Sequence, residues 1–321
     1  MSESPVPADS ADVEAQFAHA DAIHDADPAQ ALATLRRLDA TRLPAAQLAR
    51  LAFLANHVAG EKFDRWEEAL ALQKTAVAAA GDAPTPTLLR HAATAARIAG
   101  DAVLARDWTQ ALAAAGQATP AAARALVTLG AVLFTASSQS AENAGRLALQ
   151  ALQPLALLRG GAAGTLGTGF AAVTNKLATH LLDRPLADLD QPDLRTALEL
   201  TAEHSQRFWQ HTGSWVELER AHYLRALAAN ALGDGAQAAS QARAGLALLD
   251  ANDAARDEDV DRGFLELELA QGLRLDGLPD ASLAEERARA LAAAFGESSL
   301  EAWFADRVRR NQALAAHYGR G

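Results

Sequence analysis

Apolar positions along the chain recur with the spacing of an α-helix rather than that of a β-strand. One segment has apolar residues three or four positions apart at Leu88, Leu89, Ala92, Ala95, Ala96 and Ala99. A second segment repeats the pattern at Ala238, Ala242, Leu246 and Leu249. No stretch of four or more residues alternates cleanly with Val, Ile or Tyr on one face. The pattern therefore predicts an all-α fold.

Turn residues divide this pattern into helical segments. A first helix is expected over about 11–24 and a second over 29–38, because Asp27 can cap the second and Pro28 suits its first position. We then predict six antiparallel pairs: 46–59 with 64–80, 86–99 with 102–115, 120–136 with 141–158, 166–182 with 193–211, 214–232 with 235–249, and 261–275 with 281–295. A last helix over 298–317 would cover the end of the stack. The turns within pairs fall near Gly60, Gly100, Ser138, Arg184, Gly233 and Gly277, roughly 40 to 50 residues apart, a period typical of helical repeats.

Stacked pairs of this kind build one elongated domain. Each pair buries only part of its apolar surface by itself, and stacking neighbouring pairs buries the rest. We expect a single α-solenoid domain over 9–321 after a disordered segment over 1–8, which contains two Pro and two Ser. The Gly-rich tract over 160–169 joins the third and fourth pairs, and we expect a hinge at 159–168.

Composition and charge narrow the classes of partner. The apolar half of the chain is mostly Ala and Leu, which favour helices, and the net charge of −11 disfavours binding to nucleic acid or to anionic membranes. There is no Cys, no secretory signal pattern at the N-terminus and no uninterrupted apolar run of about 18 residues. We therefore expect a cytoplasmic protein without a transmembrane helix.

Two segments share a pattern of small residues around a Gly–Asp turn. The segment 86–119 has Leu89, Ala92, Ala93 and Ala96, then Gly100–Asp101, then Ala105 and Leu112. The segment 219–252 has His222, Ala226 and Ala229, then Gly233–Asp234, then Ala238 and Gly245. Both resemble tetratricopeptide repeats (TPRs). The resemblance implies a right-handed superhelix (solenoid) of antiparallel helix pairs, which binds a peptide or protein segment in its groove and is not a catalyst.

The predicted function is therefore a non-catalytic scaffold or adaptor that binds a protein or peptide and needs no cofactor or metal. Asn side chains can pair with the backbone of an extended ligand, and Trp and Arg are common at interaction hot spots. The expected partner contacts are Asn56, His57, Arg90, His91, Arg97, Asn175, Lys176, His180, Trp209, Trp215, His222, Arg225 and Asn230.

An alternative function rests on the segment 203–223, which is rich in groups that bear chemistry. His204 with Glu203, or His222 with Glu219, could form an acid–base pair or hold a metal, and His211 lies two helical turns from His204. An enzyme or small-molecule sensor would bring these histidines and carboxylates together in one closed pocket.

A second group of candidate ligands lies near the N-terminus. The residues His19, Asp21, His24 and Asp25 could chelate a metal weakly, whereas a solvated acidic face is the expected explanation.

Overall fold

The computed structural model describes residues 10–158 and 160–319, so the predicted disordered segment 1–8 lies outside the described residues. Both described ranges are helical, with fifteen α-helices and no β-strand in them, which confirms the predicted all-α class. Each predicted helical segment corresponds to one of these helices. The largest differences in length are at 46–59, where the α-helix ends at Leu54, and at 141–158, where it ends at Leu152.

The chain divides into two compact units. Unit 1 contains the described residues up to Ser137 together with those from Gln153 to Leu166, and unit 2 contains Ser138–Leu152 and the described residues from Gly167 onward. The helices of unit 1 are α1 (Ser10–Ile23), α2 (Pro28–Leu35), α3 (Ala45–Leu54), α4 (Trp66–Ala79), α5 (Pro86–Ile98), α6 (Ala102–Ala115) and α7 (Pro120–Thr135). Those of unit 2 are α8 (Ala141–Leu152), α9 (Gly167–Leu182), α10 (Pro192–Thr212), α11 (Trp215–Leu232), α12 (Gly235–Asn252), α13 (Asp259–Leu275), α14 (Ala281–Ala292) and α15 (Ser298–Tyr318). The single domain over 9–321 and its hinge remain predictions.

Local sequence explains where many of these helices begin. Proline occupies the first turn of α2, α5, α7 and α10, where its missing N–H removes no hydrogen bond. The Asp101 and Asp234 side chains cap α6 and α12 by accepting backbone N–H groups at 3.0 Å. Gly100 and Gly233, which precede these caps, have φ of 81° and 80°, a conformation that favours glycine. The segments 86–119 and 219–252 therefore share one turn geometry.

In unit 1, α5 packs against α4, α6 and α7 and also contacts α3. Large apolar side chains from α1, α3 and α5 form the core, among them Phe17, Leu51 and Leu88. By length and composition, the helical stretch Pro120–Ser138 could cross a membrane, and 61% of it is buried within the protein. The core helix of a water-soluble protein has the same properties.

A π-helix over Ala55–Lys62 continues α3 directly. The sequence predicted an α-helix to residue 59 and a turn near Gly60, whereas the chain keeps winding with the wider i→i+5 spacing. Gly60 lies so close to the buried ring of Trp66 that an added Cβ would approach it to 2.5–2.7 Å. The π-helix therefore fits a close contact that only glycine allows.

In unit 2, consecutive helices pack as the pairs α9–α10, α11–α12 and α13–α14. The predicted third pair is divided, because α7 belongs to unit 1 whereas α8 belongs to unit 2 and packs on α10. The last helix, α15, contacts α11 and α13, and its Arg310 donates to the backbone carbonyls of Leu182 and Arg184 at the end of α9. It thus lies along the first helices of three pairs rather than over the last pair alone.

Candidate partner-binding groove

A groove in unit 1 lies between the end of α5, the face of α6 and the first half of α7. Its volume is about 540 Å³, and small or apolar side chains such as Ala105, Pro120 and Val127 form part of its lining. The remaining lining residues are Arg97, Gly100, Ala102, Arg106, Thr109, Gln110, Arg124 and Thr128. The groove therefore combines an apolar surface with hydroxyl, amide and guanidinium groups.

The charge of this groove opposes that of the chain as a whole. Three arginines, Arg97, Arg106 and Arg124, line it without any Asp or Glu, although the chain has 40 acidic and 29 basic residues. Among the residues that the structure describes, Arg106 forms an ion pair only with the adjacent Asp107, and both side chains are largely exposed. Neither Arg97 nor Arg124 has an ion-pair partner within 10–158 and 160–319. The lining is thus positively charged and not neutralised by groups of its own.

A second groove, in unit 2, differs in charge. It has a volume of about 490 Å³ and includes the predicted contact Arg225, but Glu199 and Asp234 also line it. Its Arg195 is held by the backbone carbonyls of Leu189 and Leu232 and by the hydroxyl of Tyr318. Because its cations have partners in the protein, this groove attracts an anionic ligand less than the one in unit 1.

The predicted partner contacts of unit 1 do not form one surface. Asn56 is fully buried, donates to the carbonyl of His91 and accepts a hydrogen bond from Gln73, so it joins helices instead of facing a ligand. His91 is also buried, and burial lowers the pKa of Arg90 beside it to about 10. Only Arg97 lines the groove described above.

In unit 2, α15 covers part of the face where partner contacts were predicted. Asn230 is fully buried and donates to the carboxylate and the backbone carbonyl of Glu268. Glu268, in turn, accepts hydrogen bonds from Arg307 and Asn311 of α15. Asn230 is therefore engaged by Glu268 of α13, which also binds Arg307 and Asn311 of α15, and it is inaccessible to a partner.

The other predicted contacts of unit 2 are scattered. Lys176 is exposed, and Asn175, His180, Trp209, Trp215, His222 and Arg225 are half-buried. Trp215 packs on the core formed by α11, α12 and α13, and Arg225 lies 3.8 Å from the Glu203 carboxylate.

The three histidines of the 203–223 segment have separate surroundings. His204 is buried, its Nδ1 has no hydrogen-bond partner within the described ranges, and burial lowers its pKa to about 4. His211 is exposed and contacts the carbonyl of Arg207, while His222 contacts the amides of Gln206 and Gln241. None of these hydrogen bonds involves a carboxylate, so the acid–base pairs suggested by the sequence spacing are not formed.

Glu219, from the same segment, is fully buried beside Asp261. Neither of its carboxyl oxygens receives a hydrogen bond within the part of the chain described, and burial together with the Asp261 charge raises the pKa of Glu219 to about 8. The raised pKa favours the protonated form of Glu219, which can donate its proton to Asp261. Sequence spacing had paired Glu219 with His222, whereas the structure pairs it with another carboxyl group.

A cluster with the composition of a metal site occurs elsewhere in unit 1. His24, Asp25 and His57 each offer a ligand atom, and these atoms lie within 4.8 Å of one another. The sequence had suggested His24 and Asp25 as weak ligands together with His19 and Asp21, and had placed His57 in a partner-binding groove. It missed their convergence, since 32 positions separate Asp25 from His57.

No family model matches the chain, and no curated protein is similar enough to match it. The resemblance to TPRs therefore remains a prediction from sequence, and the function has to be argued from the geometry of these sites.

Proposed function

We propose that this chain is a non-catalytic scaffold that binds an acidic segment of a protein or peptide in the groove between α5, α6 and α7. The observation that carries the proposal is the lining of that groove, where three arginines face a shared space without a single carboxylate. In a chain of net charge −11, such a concentration of positive charge is selective for anionic partners.

Guanidinium groups bind carboxylates through paired, charge-assisted hydrogen bonds, which are stronger than neutral ones. The groove also offers Ala105, Pro120 and Val127 as apolar surface and Thr109 and Thr128 as hydroxyl groups. A segment that alternates acidic and apolar side chains complements both features. A small inorganic anion would use only the charge.

We further propose that the helix pairs stack as a right-handed, TPR-like superhelix. The support is local: the Gly100–Asp101 and Gly233–Asp234 turns share a positive φ at glycine and an aspartate cap with the same 3.0 Å hydrogen bond. The proposed groove uses α6, the second helix of its pair, as well as the first helices α5 and α7.

The binding proposal can be tested by fluorescence anisotropy with a short fluorescein-labelled peptide of mixed Glu and Leu. We expect saturable binding to the full chain, and loss of roughly ten-fold or more in affinity for the double variant Arg97→Glu and Arg124→Glu. Both side chains are exposed, so the charge reversal leaves the core intact.

The matched control reverses two exposed arginines outside the groove, Arg37→Glu and Arg146→Glu. This variant has the same net charge as the groove variant, so equal losses of affinity in both would mean non-specific attraction and would overturn the proposal. Absence of binding to the wild-type chain would overturn it as well. A peptide with Gln in place of Glu should bind weakly.

A further inference from the structure

The cluster of His24, Asp25 and His57 lies where two segments of unit 1 meet. His24 and Asp25 occupy the turn that follows α1, and His57 comes from the π-helix that follows α3. Segments of π-helix occur often at functional sites, since the inserted residue redirects a side chain. Here the π-helix carries His57, Glu61 and Lys62, and all three side chains contact one another or Asp25.

Both imidazole rings are held by their Nδ1 atoms. Nδ1 of His57 lies 2.6 Å from a carboxylate oxygen of Glu61, and Nδ1 of His24 contacts the backbone carbonyl of Asp21. Carbonyl and carboxylate oxygens only accept hydrogen bonds, so Nδ1 carries the proton of each neutral ring and Nε2 carries the lone pair. Histidines that bind metals are typically oriented in this way, by a carboxylate or carbonyl behind the ring.

The two Nε2 atoms face the same carboxylate. Nε2 of His24 lies 3.3 Å from one oxygen of Asp25, and Nε2 of His57 lies 3.4 Å from the other. With Nδ1 protonated, each Nε2 meets the carboxylate favourably through a second proton on the ring or through a bound cation. Lys62 supplies one positive charge at 2.6 Å from an oxygen of Asp25.

The separations match the coordination of zinc. With bonds of about 2.0–2.1 Å, neighbouring ligand atoms of a tetrahedral site are about 3.3 Å apart. Each nitrogen–oxygen contact, 3.3 Å from His24 to one oxygen of Asp25 and 3.4 Å from His57 to the other, is close to this spacing. One ligand atom from each of the three residues lies within 4.8 Å of the other two, so a movement of at most about 1.5 Å brings the set to tetrahedral spacing.

We propose that His24 Nε2, His57 Nε2 and the carboxylate of Asp25 bind one divalent cation of the zinc class. Two nitrogen ligands and one oxygen ligand suit such a metal better than calcium or magnesium, which take oxygen ligands. The fourth position is left for water, since Asp21 is held by Arg50 and Glu61 supports His57 from behind. In the absence of metal, Lys62 forms an ion pair with the Asp25 carboxylate, and the metal would displace it.

The test uses the full chain without an affinity tag, stripped of metal with a chelator. Titration with Zn²⁺ against a chromophoric competitor should show one site per chain, and Co²⁺ should give the strong visible absorption of a tetrahedral complex. His24→Gln and His57→Gln should each weaken Zn²⁺ binding by roughly ten-fold or more, because each removes a ligand. Lys62→Met should instead tighten binding by about two- to five-fold, because it removes the competing cation.

The matched control is His19→Gln, which removes an exposed histidine of α1 that lies outside the cluster. Equal binding by the wild-type chain and by the double variant His24→Gln and His57→Gln would overturn the proposal, as would equal weakening by the His19 variant. Weaker binding in the Lys62 variant would also contradict it. Circular dichroism on each variant separates loss of a ligand from loss of the fold. The metal site is independent of the arginine-lined groove, so either proposal can fail alone.

Discussion

Glu219 is a fully buried carboxyl group on α11 whose proton links the stability of unit 2 to pH. Burial, with a further contribution from Asp261, raises its pKa from the ordinary value of 4.5 to about 8. The folded protein therefore keeps a proton that the unfolded chain releases above about pH 4.5. The stabilisation from this proton is fully present below that pH and is lost as the pH rises towards 8.

The size of the effect follows from the two pKa values. Each tenfold difference in proton affinity between the folded and unfolded states corresponds to about 1.4 kcal/mol. Between about pH 5 and pH 8, this group alone should lower the free energy of unfolding by roughly 3 to 4 kcal/mol. Glu219→Gln keeps the size of the side chain and removes its ionisation, so the variant should lack this loss and should be more stable than the wild-type protein at pH 8.

Hydrogen exchange of the amides of α11 and α13, measured with increasing urea, reports the opening of the two helices that carry Glu219 and Asp261. The exposed Glu286 of α14 offers a matched control, because Glu286→Gln removes the same charge from a solvated position. The wild-type and Glu286 variants should share one pH dependence, and the Glu219 variant should have a shallower one. Parallel pH dependences for all three proteins would mean that Glu219 is ionised in the folded state and would refute the reasoning.

Two further substitutions and one titration test other parts of the structure. Gly60→Ala should destabilise unit 1 by roughly 1 to 3 kcal/mol in thermal unfolding, because the added Cβ would collide with the Trp66 ring. The control Gly296→Ala should be neutral, because the space around its Cβ is open. Arg307→Met leaves the buried Glu268 carboxylate without its cation, so it should lower the free energy of unfolding by roughly 3 to 5 kcal/mol and speed hydrogen exchange in α15. Arg309→Met, which changes an exposed side chain, should have neither effect. Burial lowers the pKa of His204 to about 4, so in an NMR titration its ring should stay neutral until the pH is well below the ordinary pKa of 6.5. The neutral ring stabilises the folded protein above pH 6.5, and this stabilisation should decrease as the pH falls towards 4. A His204 titration midpoint near 6.5 would contradict this assignment.

The helices could be predicted from sequence because their signals are local. Pro28, Pro86 and Pro120 mark first turns, and Gly100 and Gly233 mark turns, so each boundary depends on a few neighbouring residues. The π-helix over Ala55–Lys62 has no comparable signal, because its wider winding depends on the contact between Gly60 and a later ring. The sequence therefore predicted the elements well and this local departure not at all.

The candidate sites required knowledge of which helices meet. Arg97 was expected to contact a partner, but Arg106 and Arg124 were missed because they lie on other helices and join Arg97 only when α5, α6 and α7 pack. Asn230 was expected on a surface and is buried, since spacing along α11 cannot show that Glu268 of α13 packs against it. Contacts between distant segments are set by tertiary packing, which the single sequence does not encode in any short motif.

The return of α15 across unit 2 also bears on how the chain folds as it leaves the ribosome. Arg310 hydrogen-bonds to Leu182, which precedes it by 128 positions, so this contact has to wait until α15 has been synthesised. At ordinary translation rates of about 5–20 residues per second, α9 exists for several seconds before its partner emerges. Until α15 emerges, the buried Glu268 carboxylate lacks its Arg307 and Asn311 partners, and a chaperone that recognises exposed helix faces would find unit 2 unfinished.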